Sequence, residues 1–208
     1  MNLSTAARGG APVLLSPLTP DDVERVYELC QDEAIQRWTT VPSPYAMGDA
    51  RFFVCDCCPL AWQQMADGTF SCDDEGPELV WGVSLDAKSS VPGLWGCVGL
   101  KRHGAGRLEI GWWLGSPVRG MGIMRAAAAT VVETALAPQG PICASEIIWH
   151  AKVGNLASAN IAARIGFTWA GVIETTWHDA PQPAWSAAIR AGDPIEPKDG
   201  WPELKGTD

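Results

Sequence analysis

Apolar and polar residues follow two rhythms along this chain, one close to period two and one close to period three and a half. Val13-Leu14-Leu15 is a short apolar run closed by Pro17 and reads as a strand. Thr19 and Asp21 offer helix N-caps with Pro20 at the first turn. Val23, Val26, Tyr27 and Cys30 then recur at helical spacing, which predicts a helix over Asp21 to Gln31. Val41-Pro42-Ser43-Pro44 is a loop, because two prolines break any ladder. A second helix is expected from about Met47 to Met65, and Asp67 to Pro77 is a polar break. Strands follow at Leu79 to Leu85, Leu94 to Leu100 and Leu108 to Leu114, the last two joined by the hairpin signal Arg102-His103-Gly104-Ala105-Gly106. Arg119 to Ala137 is an Ala-rich helix, Cys143 to Trp149 a strand, and Leu156 to Ile165 a helix closed by Gly166. Phe167 to Thr175 and Ala184 to Arg190 complete the series as strands. The order β-α-α-β-β-β-α-β-α-β-β describes a mixed α+β domain around one sheet, over residues 13–190. Residues 1–12 and 191–208 read as loose tails, with Trp201 and Leu204 as docking points in the second.

Composition narrows the class. Of 208 residues, 47% are apolar and 19% charged, enough to bury a core and too apolar for global disorder. The formal charge is −9. Such a surface repels phosphate backbones, so nucleic acid is not expected as a partner, whereas cations and basic tails are attracted. No run approaches the roughly 18 apolar residues of a membrane span, and Met1 to Pro12 has no apolar signal core. A cytoplasmic protein without a membrane partner is the resulting expectation. Seven cysteines include the cluster Cys55, Cys57, Cys58 and Cys72. Cys55 to Cys58 formally makes C-x-x-C, but Cys72 alone supplies no second ligand pair, so buried or idle thiols are expected rather than a metal.

One segment carries chemistry. The strand Glu109-Ile110-Gly111-Trp112-Trp113-Leu114 runs through Gly115-Ser116-Pro117 into Arg119-Gly120-Met121-Gly122-Ile123 and a helix. Glycines before a helix N-terminus let backbone N–H groups reach phosphate oxygens, and the helix dipole favours the anion. An ordinary strand-helix connection is the plainer alternative. The spacing fits neither G-x-G-x-x-G nor G-x-x-x-x-G-K-[ST], so the usual dinucleotide and ATP readings fail.

These residues resemble the CoA-binding motif of the GNAT N-acetyltransferases, R/Q-x-x-G-x-G/A, with Arg119 to Ile123 in its first five positions and Met124 in place of the final Gly or Ala. Asn155-Leu156-Ala157-Ser158 followed by Ile165-Gly166-Phe167 resembles the N-x-x-S…G-F pattern of the RimJ/RimL-like branch, as does Trp38 to Phe53 upstream. The resemblance implies the GNAT fold, a mostly antiparallel central sheet flanked by helices. It also implies acetyl-CoA as co-substrate, no metal, and an amine acceptor, either a protein N-terminus or a small molecule; a homodimer is compatible with it. Met124 can crowd the pyrophosphate or turn into the core. The Tyr that many GNAT enzymes place four residues before the helix-ending glycine is Ala162 here, as is common in the RimJ/RimL-like branch.

Roles implied by the resemblance fall on particular residues. Glu109 stands where GNAT enzymes often carry a general base, and alternation sets it opposite the apolar Leu108 and Ile110; a solvated strand carboxylate is the alternative. Backbone near Trp112, Trp113 and Leu114 is expected to meet the oxyanion and the pantetheine arm, and the loop Arg119, Gly120, Met121, Gly122, Ile123 and Met124 the pyrophosphate. Ser158 is the candidate proton donor to the thiolate. Asn155 is the candidate pantetheine partner as well as a good N-cap. His150 is an alternative base or a structural histidine. Trp38 and Tyr45 either wall the acceptor site, where rings suit an ammonium, or simply pack. Two other readings remain open from the residues: a non-catalytic CoA-binding or interaction module, motivated by Met124 and Ala162, and a metal or redox protein built on the cysteine cluster.

Overall fold

The computed structural model describes residues 1–177 and 180–203. Its strands are β1 (Leu3–Ala6), β2 (Pro12–Pro17), β3 (Glu75–Leu85), β4 (Gly93–His103), β5 (Arg107–Leu114), β6 (Glu146–Lys152), β7 (Thr168–Trp177) and β8 (Ala180–Arg190). They form one eight-stranded sheet in the order β1-β2-β3-β4-β5-β6-β8-β7. Every neighbouring pair is antiparallel except β5 and β6. The helices are α1 (Val23–Leu29), α2 (Glu33–Trp38), α3 (Met47–Arg51), α4 (Cys58–Ala66), α5 (Ile123–Leu136) and α6 (Leu156–Arg164), with a π-helical stretch Phe52–Cys57 between α3 and α4. The expected α+β class and mostly antiparallel sheet are present. Among the described residues, no helix is long and apolar enough to cross a membrane.

Two apolar clusters flank the sheet. The larger packs the inner face of α5, including Ile123, Met124, Ala127, Val131 and Ala135, against Trp81, Val98, Leu108, Ile110 and Trp149. The smaller joins α1 and α3 to Val80, Leu94 and Cys97 on the other side of β3 and β4. Burying a branched or aromatic side chain of this kind contributes about 1.5–3 kcal/mol.

The departures from the sequence expectations have local causes. The helix expected from Arg119 begins at Ile123, because Gly120 and Gly122 take φ of 79° and 78°, which a right-handed helix excludes. The strand expected from Cys143 begins at Glu146, after Cys143 itself turns to positive φ. The helix expected from Met47 to Met65 is interrupted by the π segment, which precedes Pro59, a residue with no N–H to return to the previous turn. The short α2, capped by the Asp32 carboxylate on the Ala34 N–H at 2.8 Å, was not expected at all. The first tail is not loose throughout: Leu3–Ala6 pairs with β2 and packs against α5. The second is tied down in part, since Trp201 Nε1 donates to Phe167 O at 2.9 Å and Lys198 N to Ala163 O at 3.0 Å. Trp201 thus docks as expected, while Leu204 lies outside the described residues.

Candidate active site

The parallel pairing of β5 with β6 stops early. Arg107 to Ile110 pair with Glu146 to Trp149, and there the ladder ends. Gly111 to Leu114 remain bonded to β4, and His150 to Lys152 to β8. The two strands therefore splay, and alternate N–H and C=O groups of Gly111 to Leu114 point into a gap rather than to a neighbour. Such unpaired edge groups need partners, which makes the gap a natural seat for an extended ligand carrying amides.

At the end of β5 lies the glycine turn. Gly120 and Gly122 adopt left-handed φ that only glycine takes freely, and Gly122 is the N-cap of α5. Among the described residues no side chain caps this helix, which leaves the N–H groups of its first turn free for a ligand. The Ile123 and Met124 side chains are buried in the core, so both meet a ligand only through backbone. Met124 does not crowd the turn. Arg119 braces the turn instead of reaching into it: its Nε donates to Leu114 O and its Nη2 to Asp32 Oδ2, both at 2.8 Å. The turn, the splayed edge and the outward N–H groups together fit the pyrophosphate and pantetheine of CoA.

A cavity of about 700 Å³ opens beside the gap. It brings Glu109, His150, Asn155, Ser158, Trp112 and Trp113 together, and Trp38 and Tyr45 line it as well. Glu109 sits between two histidines, with Oε2 2.9 Å from His103 Nε2 and Oε1 3.4 Å from His150 Nδ1. Burial pushes its carboxyl up, but the hydrogen bond and charge of His150, and then of His103, outweigh that and leave it below the usual carboxylate range. His103 makes the shorter contact, yet His150 is the more enclosed, at 15% against 32% side-chain exposure, so its charge is less screened. Ser158 Oγ accepts from Trp149 Nε1 at 3.0 Å, which leaves its own proton to donate. Asn155 is the N-cap of α6, its Oδ1 accepting from Ser158 N at 3.1 Å. Trp38 carries Arg37 over its ring at 4.7 Å. Tyr45 is buried, and burial beside Cys30 pushes its phenol well above the ordinary value.

Sequence reading missed three contributors. His103 was visible only as part of a hairpin signal. Glu78 and the β7 segment Thr175-Thr176-Trp177 reach the cavity through tertiary placement alone. The cysteines do not gather into one site: Cys72 donates to Ile142 O at 3.0 Å in the larger core, Cys58 lies in the smaller one, and Cys57 lines the cavity with Cys30 and Cys97. Burial pushes the thiols of Cys30, Cys57, Cys58, Cys72 and Cys97 up, the state of inert rather than reactive cysteine.

Comparison with known proteins decides the family. The model of the acetyltransferase (GNAT) domain matches residues 13–168. The chain belongs to the GNAT acetyltransferase family. It is an acetyl-CoA-dependent N-acetyltransferase. No curated protein matches it. Among solved structures, Mycobacterium smegmatis RimJ in complex with CoA-disulfide aligns with TM-score 0.69 and 18% identity, covering 91% of this chain and 87% of that one. A Salmonella typhimurium acetyl transferase, which modifies the N-terminal serine of a 50S ribosomal subunit protein, aligns with TM-score 0.65 and 17% identity, over 86% and 94%. A microcin self immunity acetyltransferase in complex with acetyl-CoA and AMP aligns with TM-score 0.65 and 18% identity, over 86% and 92%. At these identities the enzyme shares a fold with RimJ- and RimL-type acetyltransferases.

Proposed function

We propose that the enzyme transfers an acetyl group to a primary amine by direct attack, with Glu109 as general base, and that residues 13–190 carry this activity. The observation that supports it best is the Glu109 carboxylate held between His103 and His150 in the cavity beside the splayed strands. Acetyl-CoA, when bound, supplies an activated acetyl thioester and a thiol leaving group. Backbone N–H groups of the Gly120 to Gly122 turn and of the first turn of α5 hold the pyrophosphate, and the free edge of Gly111 to Leu114 aligns the pantetheine arm. Glu109 takes the proton that an ammonium must lose before its nitrogen can attack, directly or through one water. Its lowered pKa keeps it ionised, and the two imidazoles pass the proton on to solvent. Ser158, oriented by the Trp149 indole, donates to the departing sulfur.

Trp38 and Tyr45 wall the acceptor side, where aromatic faces favour an ammonium. The fold shared with RimJ- and RimL-type proteins supports a protein N-terminus as acceptor, and the acidic surface suits that or a small amine equally.

A second reading has a specific observation behind it. His150, the more enclosed imidazole, takes the proton and Glu109 orients it. Release of free thiol from acetyl-CoA, followed with a mixture of primary amines over a range of pH, separates the two. With Glu109 as base, Glu109→Gln lowers turnover about a hundredfold or more at every pH, while His150→Asn costs much less. The reverse order of severity assigns the proton to His150, and unchanged turnover in both excludes either as base.

A further inference from the structure

Glu78 is a charged cavity group, with Asp49 and Lys101, that the transfer chemistry leaves unused. It stands at a bulge in β3: Gly76 pairs with Arg102 and Leu79 with Leu100, so β3 carries one residue more than β4 between the two pairs. A bulge re-aims a side chain, and here it lays the Glu78 carboxylate over the backbone of Gly99. A side chain at position 99 would overlap Glu78 Oε1 and Cδ. Gly99 in turn pairs with Gly111 of β5, where an added Cβ would meet nothing within 4 Å.

Two glycines side by side thus leave a furrow across the sheet surface. It begins at Glu78, crosses Gly99 and Gly111, and ends at the gap between β5 and β6. Trp38, Phe53, Trp113 and Trp177 line the same cavity. Neighbouring strands lie about 4.8 Å apart, so the carboxylate is on the order of 5–10 Å from the gap.

Among the described residues, no side chain forms an ion pair with Glu78 and none donates a hydrogen bond to it. Lys101 is on the same face of β4 but is exposed and unpaired with it. A half-buried carboxylate in an aromatic-walled furrow, on which Lys101 acts only from a distance and without a direct contact, is poised for a cation from a ligand.

We propose that Glu78 anchors a second cationic group of the acceptor, so that the preferred acceptors are diamines, or other amines carrying a second positive charge about 5–10 Å from the reacting nitrogen. The proposal rests on the cavity being the acceptor site of the acetyl transfer. Burial, with the Glu109 charge adding and Lys101 opposing, pushes the Glu78 carboxyl up to about 7. The other titratable groups facing it are the thiols of Cys57, Cys58 and Cys97, themselves pushed up by burial and hence neutral. A bound cation supplies the direct contact that Lys101 does not make.

The test is calorimetric titration of the full chain, saturated with CoA, with putrescine and with its monoamine counterpart butylamine. A charge-assisted hydrogen bond is worth about 1.5–3 kcal/mol, so putrescine should bind at least about tenfold more tightly than butylamine. Glu78→Gln should reduce that preference to within about twofold. Glu75→Gln removes the same charge from an exposed position on the same strand and should leave the preference intact. The proposal is overturned if the unsubstituted enzyme does not prefer putrescine, including by binding neither amine, if the preference survives Glu78→Gln, or if Glu75→Gln abolishes it equally. Thiol release from acetyl-CoA tests the transfer reading separately, so failure of one is distinguishable from failure of the other.

Discussion

Two glutamates line one cavity and are driven in opposite directions by their neighbours. Glu109 has two imidazoles and is held ionised; Glu78, which makes no ion pair or side-chain hydrogen bond among the described residues, is held by burial towards its neutral form. The consequence for stability follows from linkage. A carboxyl raised in the folded state stabilises the fold most below its unfolded value of 4.5, and that contribution is lost as pH rises through about 7. Glu78→Gln removes the loss. Its melting temperature should match that of the unsubstituted enzyme at pH about 4 and exceed it increasingly up to pH about 7, with a constant gain above. A gain independent of pH would show that the carboxyl is not destabilised by burial. Ser158→Ala should lower turnover by about a hundredfold, with acetyl-CoA affinity changed little; an equal loss of affinity would place Ser158 in binding alone. At this scale the sequence was half legible. Glu109 could be picked through the resemblance to GNAT enzymes, with strand alternation only setting it opposite Leu108 and Ile110. His103 could not, because which hairpin residues face the cavity depends on strand register. Glu78 could not, because a bulge is a property of the pairing and not of one strand.

Helix α5 and its turn carry the clearest pattern at the level of elements. Its apolar positions recur through Ala127, Val131 and Ala135, so the helix itself was readable. Its start was not, since the positive φ of Gly120 and Gly122 emerges only when the turn closes. Gly122→Ala should therefore cost about 1–3 kcal/mol from backbone strain alone. It should also weaken acetyl-CoA binding, because Cβ would press on Arg8 at 3.3 Å and shift the turn. Met124 makes the contrast. Met124→Ala should cost about 2–5 kcal/mol by opening a core cavity while leaving acetyl-CoA affinity within about twofold. Chemical denaturation with calorimetric titration checks both; tighter binding in Met124→Ala would show that the side chain does crowd the pyrophosphate. The short α2 and the π stretch were hidden for a related reason. Six residues show too little periodicity to register, and Phe52 to Cys57 keep a helical pattern while changing their hydrogen-bond span.

For the molecule as a whole, the decisive feature is one interrupted ladder. Seven pairings build the sheet, and only that between β5 and β6 is parallel and cut short. The strands themselves were legible in order, yet the splay was not, because it is a relation between residues 39 positions apart, such as Ile110 and Trp149. The same holds for the N-terminal strand and the docked Trp201, whose partners lie on remote elements. In the proposed reaction this splay and the turn beside it seat acetyl-CoA with its thioester between Glu109 and Ser158. A crystal structure with CoA bound tests it most directly. Pyrophosphate oxygens should lie on the backbone N–H groups of the Gly120 to Arg125 segment, pantetheine amides on the free edge of Gly111 to Leu114, and the thiol within reach of Ser158 Oγ. A CoA seated elsewhere on the molecule, or one whose thiol points away from both Glu109 and Ser158, would contradict it.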